Sequence, residues 1–150
     1  MRGHSHTIRS RGVALLGLIS IVALSSCLKS TEPQSSLLQL TGTWDYVGVQ
    51  TGPVRENLTG TITISGASGT AFQGRMDLVG LNPQTGQSRL LGGLVSGSEL
   101  GSNVIDFDAS LETAPRRHVG QIVADTIQGT WVGSSPDGSM SSGTFRAERK

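Results

Sequence analysis

From residue 41 onward the chain alternates apolar and polar residues in steps of two, and clusters of Gly, Ser, Pro and Asp interrupt it about every 8–16 residues. No window of about 12 residues carries an apolar stripe at helical spacing. Period two sends alternate side chains to opposite faces of a strand, so the pattern predicts an all-β domain. Eight segments are expected, at residues 41–50, 58–65, 70–80, 88–97, 103–108, 117–124, 126–133 and 141–148. Trp44 and Tyr46 share a face against Thr43 and Asp45, and Ile62 and Ile64 oppose Thr61 and Thr63. Phe72, Met76 and Leu78 oppose Gln73, Arg75 and Asp77, while Ile105 and Phe107 oppose Asp106 and Asp108. Ile127, Gly129 and Trp131 form the apolar face of the seventh segment, and Gly143, Phe145 and Ala147 that of the eighth. Segments 88–97 and 117–124 alternate less cleanly.

One apolar face per strand, with hairpin-length connections, predicts an eight-stranded up-and-down antiparallel barrel, because closure removes exposed edges. A two-sheet β-sandwich is the alternative. A short word, Gly-Thr followed by an apolar residue, recurs at Gly42-Thr43-Trp44, Gly60-Thr61-Ile62, Gly129-Thr130-Trp131 and Gly143-Thr144-Phe145. Glycine within a strand eases the bend that closure needs and leaves room for a ring from the neighbouring strand. With 134–140 as the last turn, Trp131 is expected opposite Phe145 and Gly129 opposite Ala147. The connections 51–57, 81–87, 109–116 and 134–140 are longer than 66–69, 98–102 and 125. In a meander these two sets lie at opposite ends, so one end carries long loops. The other has tight turns and the start of the first strand.

The preceding residues read as an address. Arg2, Arg9 and Arg11 form a positive leader without acids, followed by an apolar run from Val13 to Leu24. As a helix that run reaches about 18 Å, short of the roughly 30 Å hydrocarbon core, but it fits a signal-peptide core. It ends in Leu24-Ser25-Ser26-Cys27, the chain's only cysteine. This resembles the lipobox of bacterial lipoproteins, in which two small residues admit the peptidase and the Cys thiol accepts a diacylglyceryl group. The resemblance implies a signal peptide over 1–26, lipidation of Cys27 with acyl chains such as palmitate, and a mature chain anchored to the membrane. Leu28 stands where an Asp would mark inner-membrane retention, which points to the outer membrane, facing the periplasm or the cell surface. Residues 27–40 then read as the lipidated Cys with a flexible tether, and 41–150 as the barrel domain.

Cleavage removes Arg2, Arg9 and Arg11 and leaves nine basic against eleven acidic residues. That balance excludes a strongly electrostatic nucleic-acid binder. One Cys excludes an internal disulfide. No glycine-rich word precedes a helix, so phosphate-loop and dinucleotide chemistry find no support. His118 is the mature chain's one imidazole and reads as an exposed residue at a loop end beside Arg116 and Arg117. Asp106 and Asp108, with Glu112, read as a solvent face without a metal, and Pro136-Asp137-Gly138 as a turn.

Gly42-Thr43-Trp44 resembles the Gly-x-Trp that opens the first strand of calycins, meaning lipocalins and avidin-like barrels. The lipocalin disulfide pattern and the avidin biotin-site aromatics have no counterpart here. The resemblance implies a barrel able to hold one small ligand. The candidate lining is Trp44, Tyr46, Phe72, Met76, Trp131 and Phe145, with Gly48, Gly74, Gly92, Gly120 and Gly129 leaving either a void or close packing. The expected function is non-enzymatic and without a cofactor: binding of a small apolar ligand or a peptide in the cell envelope. The alternative is a solid barrel that docks a protein on loops bearing Arg55, Glu56, Asn57, Arg116 and Arg117.

Overall fold

The computed structural model describes residues 40–111, 114–134 and 137–150. The leader, Cys27, the tether up to residue 39, Glu112 and Ser135-Pro136 lie outside the described residues.

Eight strands follow in order: β1 (Gly42–Gly52), β2 (Glu56–Ser68), β3 (Ala71–Leu81), β4 (Ser88–Gly101), β5 (Val104–Leu111), β6 (Ala114–Val123), β7 (Thr126–Ser134) and β8 (Met140–Arg149). Each pairs antiparallel with the next. β1 also pairs with β8, from Trp44 opposite Arg149 to Gly52 opposite Ser142. That last ladder makes a closed up-and-down barrel rather than a sandwich. One core fills it, including Trp44, Ile62, Met76, Leu91, Ile105 and Ile127. Charged side chains such as Asp45, Arg75, Asp77, Arg146 and Glu148 point outward.

The strands run longer than the sequence suggests. Residues 109–116, expected as a long loop, are mostly strand: Ala109 and Leu111 continue the inward face of β5, and β6 starts at Ala114. The run Arg116-Arg117-His118 conceals this, because two of its three polar residues point inward, where an apolar pattern is expected. The expected loop 51–57 shrinks to residues 53–55 in the same way. Length asymmetry therefore rests on 82–87 and 135–139. The opposite end has two-residue turns, and in one of them Ser102 and Asn103 both adopt left-handed φ, 53° and 61°, as a type I′ hairpin requires. β1 begins at that tight-turn end.

The last hairpin closes two residues away from the expected register. Trp131 faces Gly143, Gly129 faces Phe145, and Ile127 faces Ala147. A two-residue slip keeps every side chain on its face, so alternation alone cannot detect it. What decides the register is volume. The Trp131 indole covers Gly143, where an added Cβ would lie 2.7 Å from the ring. Phe145 sits between Gly129 of β7 and Gly48 of β1. Tyr46 faces Gly60, Phe107 faces Gly97 and Met76 faces Gly93. Gly92, expected inside, instead faces outward beside Arg75 and Asp77, since Leu91 and Val95 hold the inward parity of β4.

A Cβ at Gly129 would run into the Val119 carbonyl oxygen and come within 2.6 Å of the Gly120 Cα. Gly129→Ala is expected to destabilise the fold by about 2 kcal/mol or more, through overpacking against backbone that cannot give way. At Gly66 an added Cβ meets only the flexible Gln73 side chain, at 3.4 Å. Gly66→Ala should therefore stay within ~0.5 kcal/mol of the parent. Urea unfolding of both variants checks this, and equal effects would contradict it.

Candidate functional site

At the tight-turn end the start of β1 is pinned. Trp44 is an inward residue at the start of β1, and its Nε1–H donates to the Leu40 carbonyl at 2.9 Å. Arg149 lies 4.4 Å over its ring and donates from Nη1 to the Thr41 carbonyl at 3.1 Å.

Mid-barrel, the rings pack on one another. Tyr46 stacks on Phe145 with centroids 5.6 Å apart, and Phe107 stacks on His118 at 4.6 Å. Phe72 meets Phe107 edge-on at 6.0 Å, and Phe145 meets His118 edge-on at 5.2 Å. The six residues read as a pocket lining (Trp44, Tyr46, Phe72, Met76, Trp131 and Phe145) are thus all buried in the core.

His118 corrects the sequence expectation most sharply. It is a core residue, 1% exposed, because β6 starts early enough to place it at an inward position. Its Nδ1 lies 3.1 Å from the Arg116 carbonyl and its Nε2 lies 3.4 Å from the Tyr46 hydroxyl. Nδ1–H can only donate to that carbonyl, so the neutral ring offers Nε2 as acceptor to the Tyr46 O–H. Burial pushes the His118 pKa down to about 4, opposed by the hydrogen bond to the Arg116 carbonyl and helped by the nearby Arg116 charge. Burial likewise raises Tyr46, against the pull of Arg116. Both groups are therefore neutral at pH 7.

Above the rings, toward the long-loop end, the inward residues become polar. Arg116 is 3% exposed, where the sequence reading has it on a surface loop. Its guanidinium lies 4.5 Å over Trp131 and donates from Nη2 to Gln50 Oε1 at 3.3 Å. Gln50 Nε2 donates to the Val54 carbonyl at 2.9 Å. Glu56 is also buried, and Arg89 grips it with two hydrogen bonds, 2.9 and 2.7 Å long. Alternation splits the expected docking patch: Glu56 and Arg116 point in, while Arg55, Asn57 and Arg117 stay outside. Arg117 pairs with Asp106 on the outer wall and holds that carboxyl below its usual range, and Asp108 is exposed on the same strand face. Among the described residues no three His, Cys, Asp or Glu side chains come together as a metal site.

A cavity of about 420 Å³ opens at this end, lined by Gln50, Val54, Glu56, Asn82, Arg89 and Asp137 among others. Asp137 is held in place by accepting hydrogen bonds from the Ser139 N–H and hydroxyl, at 3.0 and 2.6 Å. A second hollow of about 440 Å³, lined by Ala67, Phe72 and Gly97, lies toward the tight-turn end and is mostly apolar. In the polar layer, Trp131 Nε1 and Ser141 Oγ are buried with no hydrogen-bond partner among the described residues. Gln50, Arg89 and Ser141 are absent from the sequence-based candidates. Their signal is parity, since each stands an even number of residues from an inward anchor: Tyr46, Leu91 or Phe145.

No protein-family model matches the sequence, and no curated protein matches it. Solved structures share the fold. EF1p2_mFAP2b bound to DFHBI aligns with a TM-score of 0.62 at 12% identity, over 76% of this chain and 97% of that one. A de novo designed fluorescence-activating β-barrel aligns at 0.56 and 16% identity, over 77% and 97% of the two chains. The S-type phycobiliprotein lyase CPES from Guillardia theta aligns at 0.51 and 9% identity, over 76% and 90%. With these structures the chain shares the fold of an eight-stranded barrel.

The buried imidazole has a pH signature. His118 titrates near 6.5 when unfolded and near 4 when folded. Between those values the unfolded chain binds the extra proton, so stability is full above pH 6.5 and falls as pH drops toward 4. The loss attributable to this group is roughly 3 kcal/mol. Urea unfolding from pH 7 to 4 should show the parent losing that much relative to His118→Gln; a pH-independent difference between the two would contradict the assignment.

Proposed function

We propose that this chain is a lipid-anchored lipoprotein of the bacterial cell envelope whose barrel binds a small ligand at its long-loop mouth, without catalysis. The observation that carries the ligand reading is the 420 Å³ cavity set over a stacked aromatic core. With the rings packed on one another, a ligand sits at the mouth rather than deep in the cylinder. This moves the expected site from the Trp44–Phe145 set to Gln50, Glu56, Arg89 and the layer beneath them. Three of the solved barrels with this fold are bound to DFHBI, so an eight-stranded barrel is compatible with a small occupant.

The anchoring reading rests on Leu24-Ser25-Ser26-Cys27 behind a basic leader. Outward Asp45, Arg75, Asp77, Arg146 and Glu148 fit a water-facing wall. A membrane-spanning barrel has the reverse pattern, apolar outside. Stable anchoring takes more than one acyl chain, which the lipoprotein modification supplies. Leu90 and Leu94, 80% and 69% exposed on the outside of β4, favour a second reading in which the wall docks a protein partner.

Membrane fractionation of the host should recover the parent with the membranes and Cys27→Ser in the soluble fraction. Native mass spectrometry of the parent from those membranes should show a small-molecule adduct. A soluble parent would contradict the anchor, and an adduct-free spectrum at every gentle ionisation condition would contradict the ligand reading.

A further inference from the structure

Pro53 and Val54 are the only apolar residues among those described around the mouth cavity. Its polar groups divide into those engaged within the chain and those held in place with one end open. Gln50 is engaged at both ends: Oε1 accepts from Arg116, and Nε2 donates to the Val54 carbonyl. Both Glu56 oxygens accept from Arg89, which answers that charge. Asn82, the first residue after β3, is held differently. Its Oδ1 accepts from the Gln84 and Thr85 N–H groups at 2.9 and 3.2 Å, which orients the amide, and its Nδ2 donates to no other described residue. Asp137, in the loop between β7 and β8, is its counterpart. Its Oδ1 accepts from the Ser139 N–H and hydroxyl, and its Oδ2 accepts from no other described residue. The Ser139 hydroxyl and N–H hold this carboxyl below its usual range, so at neutral pH it is ionised and only accepts.

The cavity thus presents oriented donors from one loop and an oriented acceptor from another, along with the Gln87 amide and the Ser88 hydroxyl. A ligand that answers both must itself donate and accept. A carboxylate only accepts and an ammonium only donates, whereas every hydroxyl does both. Charge is a weak selector here, because Glu56 is paired and Asp137 is exposed to water, where a single charge attracts little. An apolar occupant would strip water from these groups without replacing its hydrogen bonds. A neutral amide donates and accepts at two atoms only, while a ring of hydroxyls offers both functions around its whole edge. The volume, about 420 Å³, lies in the range of small-molecule sites. We infer, resting on the ligand-binding reading above, that the mouth takes a neutral polyhydroxylated molecule of monosaccharide size, whose hydroxyls donate to Asp137 Oδ2 and accept from Asn82 Nδ2. The bond to the ionised Asp137 is charge-assisted and is the stronger of the two.

Two isosteric exchanges separate this pattern from the fold. Asn82→Asp keeps the Oδ1 that holds the loop and replaces the donors by an acceptor. Asp137→Asn keeps an Oδ1 for Ser139 and replaces the acceptor by donors. Proton–nitrogen spectra of the full chain in detergent are titrated with D-glucose, D-galactose and D-mannose, which differ in hydroxyl configuration. At least one sugar should move the resonances of Gln50, Val54 and Asn82 and leave the Trp44 indole, at the other end of the barrel, in place. Each exchange should weaken that sugar about tenfold while the core resonances stay where they are. Three sugars that move nothing in the mouth, or exchanges that leave their binding unchanged, overturn the inference. Tighter binding of D-glucosamine, D-glucuronate or N-methylacetamide than of every neutral sugar also overturns it, since a charge or an amide would then be what the mouth selects. The native mass spectrum separates this failure from that of the ligand-binding reading. An adduct of other chemistry with no response to sugar leaves a ligand-binding mouth and removes the polyol; no adduct and no response to sugar remove both.

Discussion

Rings against glycines are the contact on which the rest of the barrel depends. A cylinder of eight strands has just enough room for inward side chains to fill. Five rings, those of Tyr46, Phe107, His118, Trp131 and Phe145, share its middle. They fit because a glycine stands across from Tyr46, Phe107, Trp131 and Phe145. At Gly129 and Gly93 the neighbouring backbone approaches so closely that an added Cβ would lie 1.9 Å from a carbonyl oxygen, so no side chain is possible there. Many of the 21 glycines of this 150-residue chain thus stand where closure and ring volume demand them, rather than serving as flexible filler.

That interlock sets the character of the site. A core filled with stacked rings leaves little room for a deep ligand, so binding capacity moves upward to where the inward residues turn polar. Gln50, Glu56, Arg89, Arg116 and Ser141 come from five different strands, and only closure brings them into one layer. Burying a guanidinium and a carboxylate is expensive unless both are bonded. Here Arg89 grips Glu56, and Arg116 is held by Gln50 and the Trp131 face.

Much of the fold is legible in the residues. Alternation marks the strands and assigns Trp44, Tyr46, Ile62, Met76, Phe107 and Phe145 to the interior, because polarity follows face wherever an inward residue is apolar. It fails where an inward residue is polar. Arg116 and His118 read as loop, and Gln50 and Ser141 attract no notice, although each sits on the inward parity of its strand. Their burial is compensated by cross-strand partners far along the chain, such as Tyr46 for His118, and periodicity within one strand carries no record of those. The Trp131–Gly143 register is hidden for a related reason, since a two-residue slip leaves every face unchanged. The leader and its Cys27 read as an address from charge, length and small residues alone, and that reading is independent of the fold.

The measurement that bears most directly on the ligand-binding account is a crystal structure of the protein purified from its own envelope without exchange of small molecules. The account predicts electron density for an organic group in the cavity lined by Gln50, Glu56, Asn82 and Arg89. A mouth collapsed onto its own side chains, or one filled by ordered water alone, would contradict it.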